Sequence, residues 1–154
     1  MSYWNNLKKS VIPPVVFLVS AFWICACDDH RINQGKPQIE VSPETVNFKT
    51  LNIGDQDLQV LTIKNIGNAA LQIESVSLTG DPVFRLEKWD ADDFSDISFP
   101  DGVPQPGGLN SSLRELTISF SPDVNGEYSA SVVIVSNDED DETVTVPLVG
   151  ICSI

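Results

Sequence analysis

The chain has 154 residues, of which 9 are basic and 22 acidic, so its formal net charge is −13. Hydrophobic residues make up 42% and charged residues 20%, which is the composition of a globular protein and excludes a fully disordered chain. The acidic balance argues against a nucleic-acid partner, because phosphate binding needs clustered Lys and Arg side chains. Three cysteines and one histidine leave little for a zinc or redox site, so no metal or cofactor is expected.

The first 26 residues are predicted to be a secretory signal peptide. Lys8 and Lys9 give a basic start, and an apolar run over 11–24 follows that only Ser20 interrupts. These fourteen residues are fewer than the roughly 20 that a transmembrane helix needs, and the pair Pro13-Pro14 would disturb its first turns. The pattern therefore predicts a secretory signal and not a membrane-spanning helix.

The residues that close this run, Ile24-Cys25-Ala26-Cys27, resemble the lipobox of bacterial lipoproteins. In that family the cysteine thiol receives a diacylglyceryl group and the preceding peptide is cut away. The resemblance implies that Cys27 is the lipid attachment site. The loss of Lys8 and Lys9 would take the formal charge from −13 to −15, so that only a covalent lipid would hold the chain at an anionic membrane. The alternative is an ordinary signal peptide that ends in two small cysteines.

Residues 27–37 are predicted to be the lipidated cysteine and a flexible tether. The ten residues 28–37 have one aliphatic side chain, Ile32, and no periodicity. A flexible chain of this length spans roughly 17 Å on average and at most about 35 Å. The domain would therefore stay close to its membrane, facing the periplasm or the cell surface. His30 lies in this tether and is a poor candidate for a catalytic base.

Residues 38–154 are predicted to form an all-β domain, a seven-stranded immunoglobulin-like β-sandwich. Apolar residues alternate in short runs separated by Gly, Pro, Asn and Asp, without a helical period. A slip in the alternation between Ile73 and Val76 predicts a β-bulge, and a turn is predicted over 65–68, in which Gly67 is free to take a positive φ. The predicted strands contain Ile39 to Phe48, Leu61 and Ile63, Leu71 to Leu78, Phe84 and Leu86, Leu116 to Phe120, Tyr128 to Ile134, and Val144 to Leu148.

An ordered set of short motifs resembles the abnormal-spindle/Hydin-type immunoglobulin-like domain, whose bacterial members are often labelled choice-of-anchor D domains. The set consists of Gly54, Asn65-Ile66-Gly67-Asn68, Phe120-Ser121-Pro122, Gly126, Ser136-Asn137-Asp138 and Pro147-Leu148-Val149-Gly150. The resemblance covers residues 38–150 and implies a sandwich without an inter-sheet disulfide, serving in assembly or attachment and not in catalysis. The chain departs from the family at Lys49, where a glycine commonly follows the phenylalanine.

The motif residues have structural interpretations. Asn65, Gly67 and Asn68 are typical turn residues. Tyr128 is placed to make a tyrosine-corner hydrogen bond. Cys152 has no intrachain partner once Cys27 is acylated, and it is expected to be a buried apolar residue near the end of the last strand. All of these are assigned to folding.

The first acidic segment, Lys88 to Asp101, interrupts the sandwich between the fourth and fifth predicted strands. A calcium loop that starts at Asp90 fails, because position 5 is Phe94 and position 6 is Ser95 where a glycine is needed. Three aromatic residues make it a candidate partner-binding loop, since aromatic anchors dominate interface energetics. They are Trp89, Phe94 and Phe99. The alternative is that their rings cap the core.

The second acidic segment, Asn137 to Glu142, carries six consecutive oxygen-bearing side chains. Such a run can bind Ca²⁺, although no regular ligand spacing is present. Charge runs are more often solvated turns, and this one would guard a hairpin against edge-to-edge pairing. No metal site is assigned to it.

No phosphate-binding loop, nucleophile elbow or HExxH pair is present, so no catalytic residue is assigned. The expected protein is a non-catalytic envelope lipoprotein whose monomeric immunoglobulin-like domain binds, or assembles with, a protein partner. Two alternatives stay open. One is a calcium-dependent or carbohydrate-binding adhesin, and the other is a periplasmic chaperone-like module that pairs β-strands.

Overall fold

The computed structural model describes residues 35–107 and 112–154. The predicted signal peptide, Cys27 and nearly all of the predicted tether lie outside the described residues. Within the described ranges, no helix is long and apolar enough to cross a membrane.

Two five-stranded sheets face each other across one core, and the all-β sandwich is confirmed. The first sheet has the order β1-β3-β8-β5-β6 and the second has the order β2-β10-β9-β4-β7. The strands are β1 (Ile39–Ser42), β2 (Val46–Asn47), β3 (Asp57–Asn65), β4 (Leu71–Gly80), β5 (Phe84–Trp89), β6 (Asp92–Asp93), β7 (Asp101–Val103), β8 (Leu113–Phe120), β9 (Gly126–Ser136) and β10 (Thr143–Cys152). A 3₁₀ turn covers Phe94–Asp96.

The first predicted strand is divided between the two sheets. β1 pairs antiparallel with β3, whereas β2 pairs parallel with β10. The chain changes sheets after Ser42, whose peptide bond to Pro43 is cis. Because proline lacks a backbone N–H group, Pro43 cannot continue the ladder with β3 as a donor. Among the described strands, the change of sheet leaves the first half of β3 without a neighbour on that side.

The core is built from the inward-facing residues of both sheets. Three buried phenylalanine rings within it, Phe48, Phe84 and Phe120, pack against one another, with the last two stacked at a centroid distance of 4.9 Å. Each such buried ring contributes about 2 to 3 kcal/mol through removal of apolar surface from water. Gly150 is required beside them, because a Cβ atom there would lie 2.6 Å from the Phe120 ring.

Two local predictions are confirmed. The register between β4 and β9 shifts between Ile73 and Ser75, which is the predicted bulge. The Tyr128 hydroxyl donates a 2.6 Å hydrogen bond to the Val124 carbonyl, as expected of a tyrosine corner. Gly67, however, does not adopt a positive φ. Glycine is needed there because a Cβ atom would lie 2.3 Å from the carbonyl oxygen of Lys36.

Cys152 is a free thiol at the end of β10 and is 1% exposed. The prediction of a buried apolar cysteine near the end of the last strand is therefore confirmed. Its backbone pairs with Gly126 of β9 and lies beside Leu51.

The strand directions define two ends of the domain. The near end is the one at which the chain enters the domain, because the backbone N–H of Lys36 donates to the Asn68 side chain there and that of Ile39 to Asp138. The far end carries the C-terminal residues. The near end contains 35–38, 66–70, 104–107 and 137–142, and the far end contains 48–56, 81–83, 121–125 and 153–154, whereas residues 94–100 join β6 to β7 along one side of the sandwich.

Candidate functional site

The first acidic segment contains regular structure and is not an open loop. β5 continues to Trp89 and turns back at once into β6, which pairs with it. Asp90 occupies the turn with φ of 53°, the left-handed region that Asp tolerates better than most residues. The backbone N–H of Asp90 donates to the carbonyl oxygen of Glu115, and the backbone N–H of Glu115 donates to the carboxylate of Asp90.

The structure places the Trp89 ring inside the protein, with 3% of the residue exposed. The expectation that this ring stands in an exposed binding loop is therefore corrected. The reason is the length of β5: Trp89 pairs with Leu116 of β8, so its side chain points inward with the other core residues. This is the core-capping alternative for Trp89.

Phe94 and Phe99 are half-buried and pack against the core beside Trp89. The Phe99 ring meets the Trp89 ring edge-on at a centroid distance of 5.5 Å, and Phe94 lies 6.1 Å from Phe99. The three predicted site residues are thus brought together as one aromatic cluster on the side of the sandwich where β6 and β7 lie. Contact of Phe94 and Phe99 with a partner stays a prediction, and it would use only the exposed parts of their rings.

A polar network that the sequence did not predict supports this cluster. The indole N–H of Trp89 donates to Asp101 Oδ2 at 2.9 Å, and Nε of Arg114 donates to the same oxygen at 2.7 Å. Arg114 also donates to the Gly102 carbonyl at 2.6 Å and forms an ion pair with Asp90 at 3.5 Å. The network ties β7 to β8, which belong to different sheets. No local sequence signal points to it, because Asp101 and Arg114 meet only through tertiary structure.

Asp101 is held in its charged form. Burial on its own raises the pKa of a carboxyl group, but here the hydrogen bonds from Arg114 and Trp89, followed by the Arg114 charge, outweigh that effect. The pKa of Asp101 is therefore lowered from its ordinary value. The carboxylate acts as a fixed acceptor for two donors, which is a structural function.

The second acidic segment is fixed by backbone hydrogen bonds. Asp138 is 2% exposed, and its carboxylate accepts hydrogen bonds from the backbone N–H groups of Ile39 and Asp140, at 2.9 and 3.0 Å. Asn137 accepts another from the N–H of Gln72 at 2.8 Å. The acids from Glu139 to Glu142 are exposed. Within the described residues no group of three or more His, Cys, Asp or Glu side chains is placed to hold a metal ion.

The buried Asn65 side chain forms hydrogen bonds to several backbone groups at the near end. Its amide oxygen accepts from the N–H of Gly67 at 3.0 Å, and its amide nitrogen donates to the carbonyls of Ala69 and Val103, at 2.8 and 3.1 Å. The side chain thereby shapes the turn after β3 and attaches it to β7. The interpretation of Asn65 as a folding residue agrees with this geometry, although the link to Val103 was not predicted.

Lys49, the position at which the chain departs from the family pattern, is paired with a buried acid. Its Nζ lies 3.1 Å from Asp57 Oδ1, and Gln59 donates to Oδ2 at 2.9 Å. Burial alone would raise the pKa of Asp57, but these hydrogen bonds and the Lys49 charge lower it from its ordinary value. The pair links the segment after β2 to the start of β3.

Two aliphatic side chains next to Asp57 point into solvent. Leu58 is 54% exposed and Val60 is 47% exposed, whereas Leu61 and Ile63 of the same strand are fully buried. The sequence contained a signal for this pair, because Leu58 and Val60 alternate out of phase with Leu61 and Ile63. The predicted strand contains only Leu61 and Ile63 and does not include Leu58 and Val60.

Comparison with known families and structures gives one family match. The model described as the HYDIN/CFA65/VesB-like, Ig-like domain matches residues 37–150. No curated protein matches the chain.

The chain is similar to several solved structures at low sequence identity. A protein of unknown function from Porphyromonas gingivalis W83 is 16% identical with a TM-score of 0.57, and the match covers 75% of this chain but 47% of that one. The chain thus spans about half the length of that protein. The ASH/PapD-like domain 7 of human CEP192 is 15% identical, with 99% and 96% of the two chains covered and a TM-score of 0.46. The secreted serine protease VesC from Vibrio cholerae is 10% identical, with 78% and 24% covered and a TM-score of 0.49.

Proposed function

We propose, because the chain belongs to the HYDIN/CFA65/VesB-like family of Ig-like domains, that it is a non-catalytic binding or assembly module. We further propose that it is a lipoprotein of the bacterial cell envelope, anchored through Cys27. The observation that carries this proposal is the order of the chain: a lipobox-like Ile24-Cys25-Ala26-Cys27, a short polar stretch, and then one Ig-like domain over nearly all the remaining residues.

The proposed non-catalytic role is supported by what the conspicuous polar residues do. The side chains of Asn65 and Asp138 form hydrogen bonds with backbone groups, and the Asp101 carboxylate accepts hydrogen bonds from Trp89 and Arg114. Asn65 has no titratable group, and the two carboxylates already hold hydrogen bonds within the domain, so protonating either one would weaken the structure that it supports. Binding through surface residues requires no such change.

The proposed anchor sets an orientation for the domain. The chain enters at the near end, where Lys36 contacts Asn68. A tether of at most about 35 Å would hold that end toward the membrane. The far end would then face away from the membrane.

The proposed anchor is tested by replacing its cysteine. In its native host, Cys27→Ser should release the protein from the membrane fraction or leave an uncleaved precursor. Cys25→Ser is the matched control, because Cys25 lies within the segment that cleavage removes and Ser is a small residue. Normal processing and full membrane retention of Cys27→Ser would contradict the proposal.

A further inference from the structure

The passage of the chain from β1 to β2 leaves an open edge on β3. β1 pairs with β3 only from Ser42 opposite Thr62 to Ile39 opposite Asn65. Among the described strands, none lies beside residues 57–61 on that side. The backbone groups that face this side are available to another extended chain.

The register identifies which backbone groups face the open side. The N–H of Asn65 bonds to Ser112 in the direction of β8, and that of Ile66 bonds to Gln38 in the direction of β1. The pairing of β3 with β8 has no register shift. Backbone groups alternate in direction along a strand, so Leu58 and Val60 direct their N–H and C=O groups to the open side.

The other open edges in the described sheets are protected or polar. β5 carries the charged Arg85 and Glu87 along its free side, and β10 carries Pro147. The free part of β4, beyond β7, exposes Ser77 and Thr79. Proteins commonly use charges, proline and short strands to prevent edge pairing. Of the edges discussed, all within residues 35–107 and 112–154, only the β3 edge combines open backbone groups with exposed aliphatic side chains.

We propose that the β3 edge at residues 57–61 binds an extended segment of a partner protein as an added β-strand. A row of alternating N–H and C=O groups is complemented by another extended backbone, and Leu58 and Val60 would contact alternate apolar side chains of that segment. This inference rests on the proposed binding role, but not on the lipid anchor.

The charge of the chain defines the chemistry of the partner segment. With a formal charge of −13, the protein repels a second copy of itself and attracts a basic segment. The partner strand therefore alternates apolar residues with Lys or Arg. In the orientation proposed above, the edge lies in the half of β3 nearer the far end and is accessible from the side away from the membrane.

The experiment measures amide hydrogen exchange by NMR on the full chain in detergent micelles. The probe is a short end-blocked peptide in which valine and lysine alternate. It should slow exchange at the Leu58 and Val60 amides by about tenfold or more, the factor expected when open amides gain a hydrogen bond. The amides of Val76 and Leu78, which face the open side of β4, serve as the internal reference and should not change. A peptide that alternates valine with glutamate should have no effect.

Two variants test the mechanism. Val60→Pro removes an N–H on the open side while leaving the bonds to β8, and should weaken peptide binding about tenfold. Val60→Lys retains the N–H but adds a repelling charge, and should weaken binding similarly. Ser77→Lys is its matched control on the β4 edge and should bind normally.

Three results would overturn the proposal: no protection by the basic peptide, equal protection at β3 and β4, or protection that rises with protein concentration alone. The last would assign the edge to a second copy of the chain. None of the three bears on whether Cys27→Ser releases the protein from the membrane, so the two proposals fail separately.

Discussion

Asn65 shows how much one buried amide can contribute to the near end. Asn65→Ala should reduce the free energy of unfolding by about 3 kcal/mol, because it leaves the buried carbonyl of Val103 and the N–H of Gly67 without their partner. Urea denaturation measures the loss. Asn68→Ala is the matched control and should cost less than half as much, since its bond to the Lys36 N–H is exposed. Equal losses would contradict the assignment.

Asp101 makes the stability depend on pH. Its pKa is lowered in the folded state by Arg114 and Trp89 against the effect of burial. The stabilisation is therefore complete above the unfolded carboxyl pKa of about 3.9 and is lost as the pH falls through the lower folded pKa. Asp101→Asn should cost about 1.5 kcal/mol at neutral pH, and the difference from wild type should shrink below about pH 4.

Urea denaturation from neutral to acidic pH checks this, with Asp92→Asn as the exposed control. A difference between wild type and Asp101→Asn that stays constant with pH would contradict the electrostatic role of Asp101.

At the residue scale, the sequence predicted local contacts better than distant ones. The Tyr128 bond to Val124 spans four residues and follows from a known turn geometry. Asp101 and Arg114 are in contact only because β7 and β8 are brought together by the sandwich. The alternation of polar and apolar residues carries no information about such pairs.

At the element scale, the aromatic cluster gives a graded prediction. Trp89→Ala should cost about 4 kcal/mol, since it removes a buried ring and its bond to Asp101. Phe99→Ala should reduce the free energy of unfolding by about half as much, because its ring is half-buried. Phe94→Ala should reduce it less again, because its half-buried ring contacts Phe99 and not the Trp89 ring. Thermal and urea denaturation of the three variants give the order.

A loss under about 1 kcal/mol for Trp89→Ala would return this ring to the exposed-loop interpretation. If Phe94→Ala leaves stability nearly unchanged but weakens capture of a partner, the predicted role of that residue in binding gains direct support.

The sequence predicted those strands in which apolar and polar residues alternate. The bulge in β4 was readable because the hydrophobic phase shifts within the strand. β6 and β7 contain Asp92, Asp93 and Asp101, residues that strands disfavour, so pattern alone does not indicate them. The division of the first strand at Ser42 was not predicted, although Ile39 and Val41 alternate out of phase with Val46 and Phe48, because a phase shift alone does not distinguish a bulge from a change of sheet.

At the scale of the whole molecule, residues 38–154 should fold alone as a monomer without a disulfide. The segment contains one cysteine, Cys152, which is buried and free. The melting temperature should therefore be the same with and without reductant, and sedimentation should give one monomeric species. A dimer that reductant dissociates would show that Cys152 is accessible for pairing between chains, against its burial in the folded domain.

The most direct test of the account is the intact mass of the protein extracted from membranes of its native host. The lipoprotein proposal predicts a chain that begins at Cys27, lacks residues 1–26, and carries added mass equal to a diacylglyceryl group, with or without a further acyl chain. Digestion should place that mass on the peptide that starts at Cys27. A chain with unmodified Cys27, or one cleaved at another residue, would contradict the account.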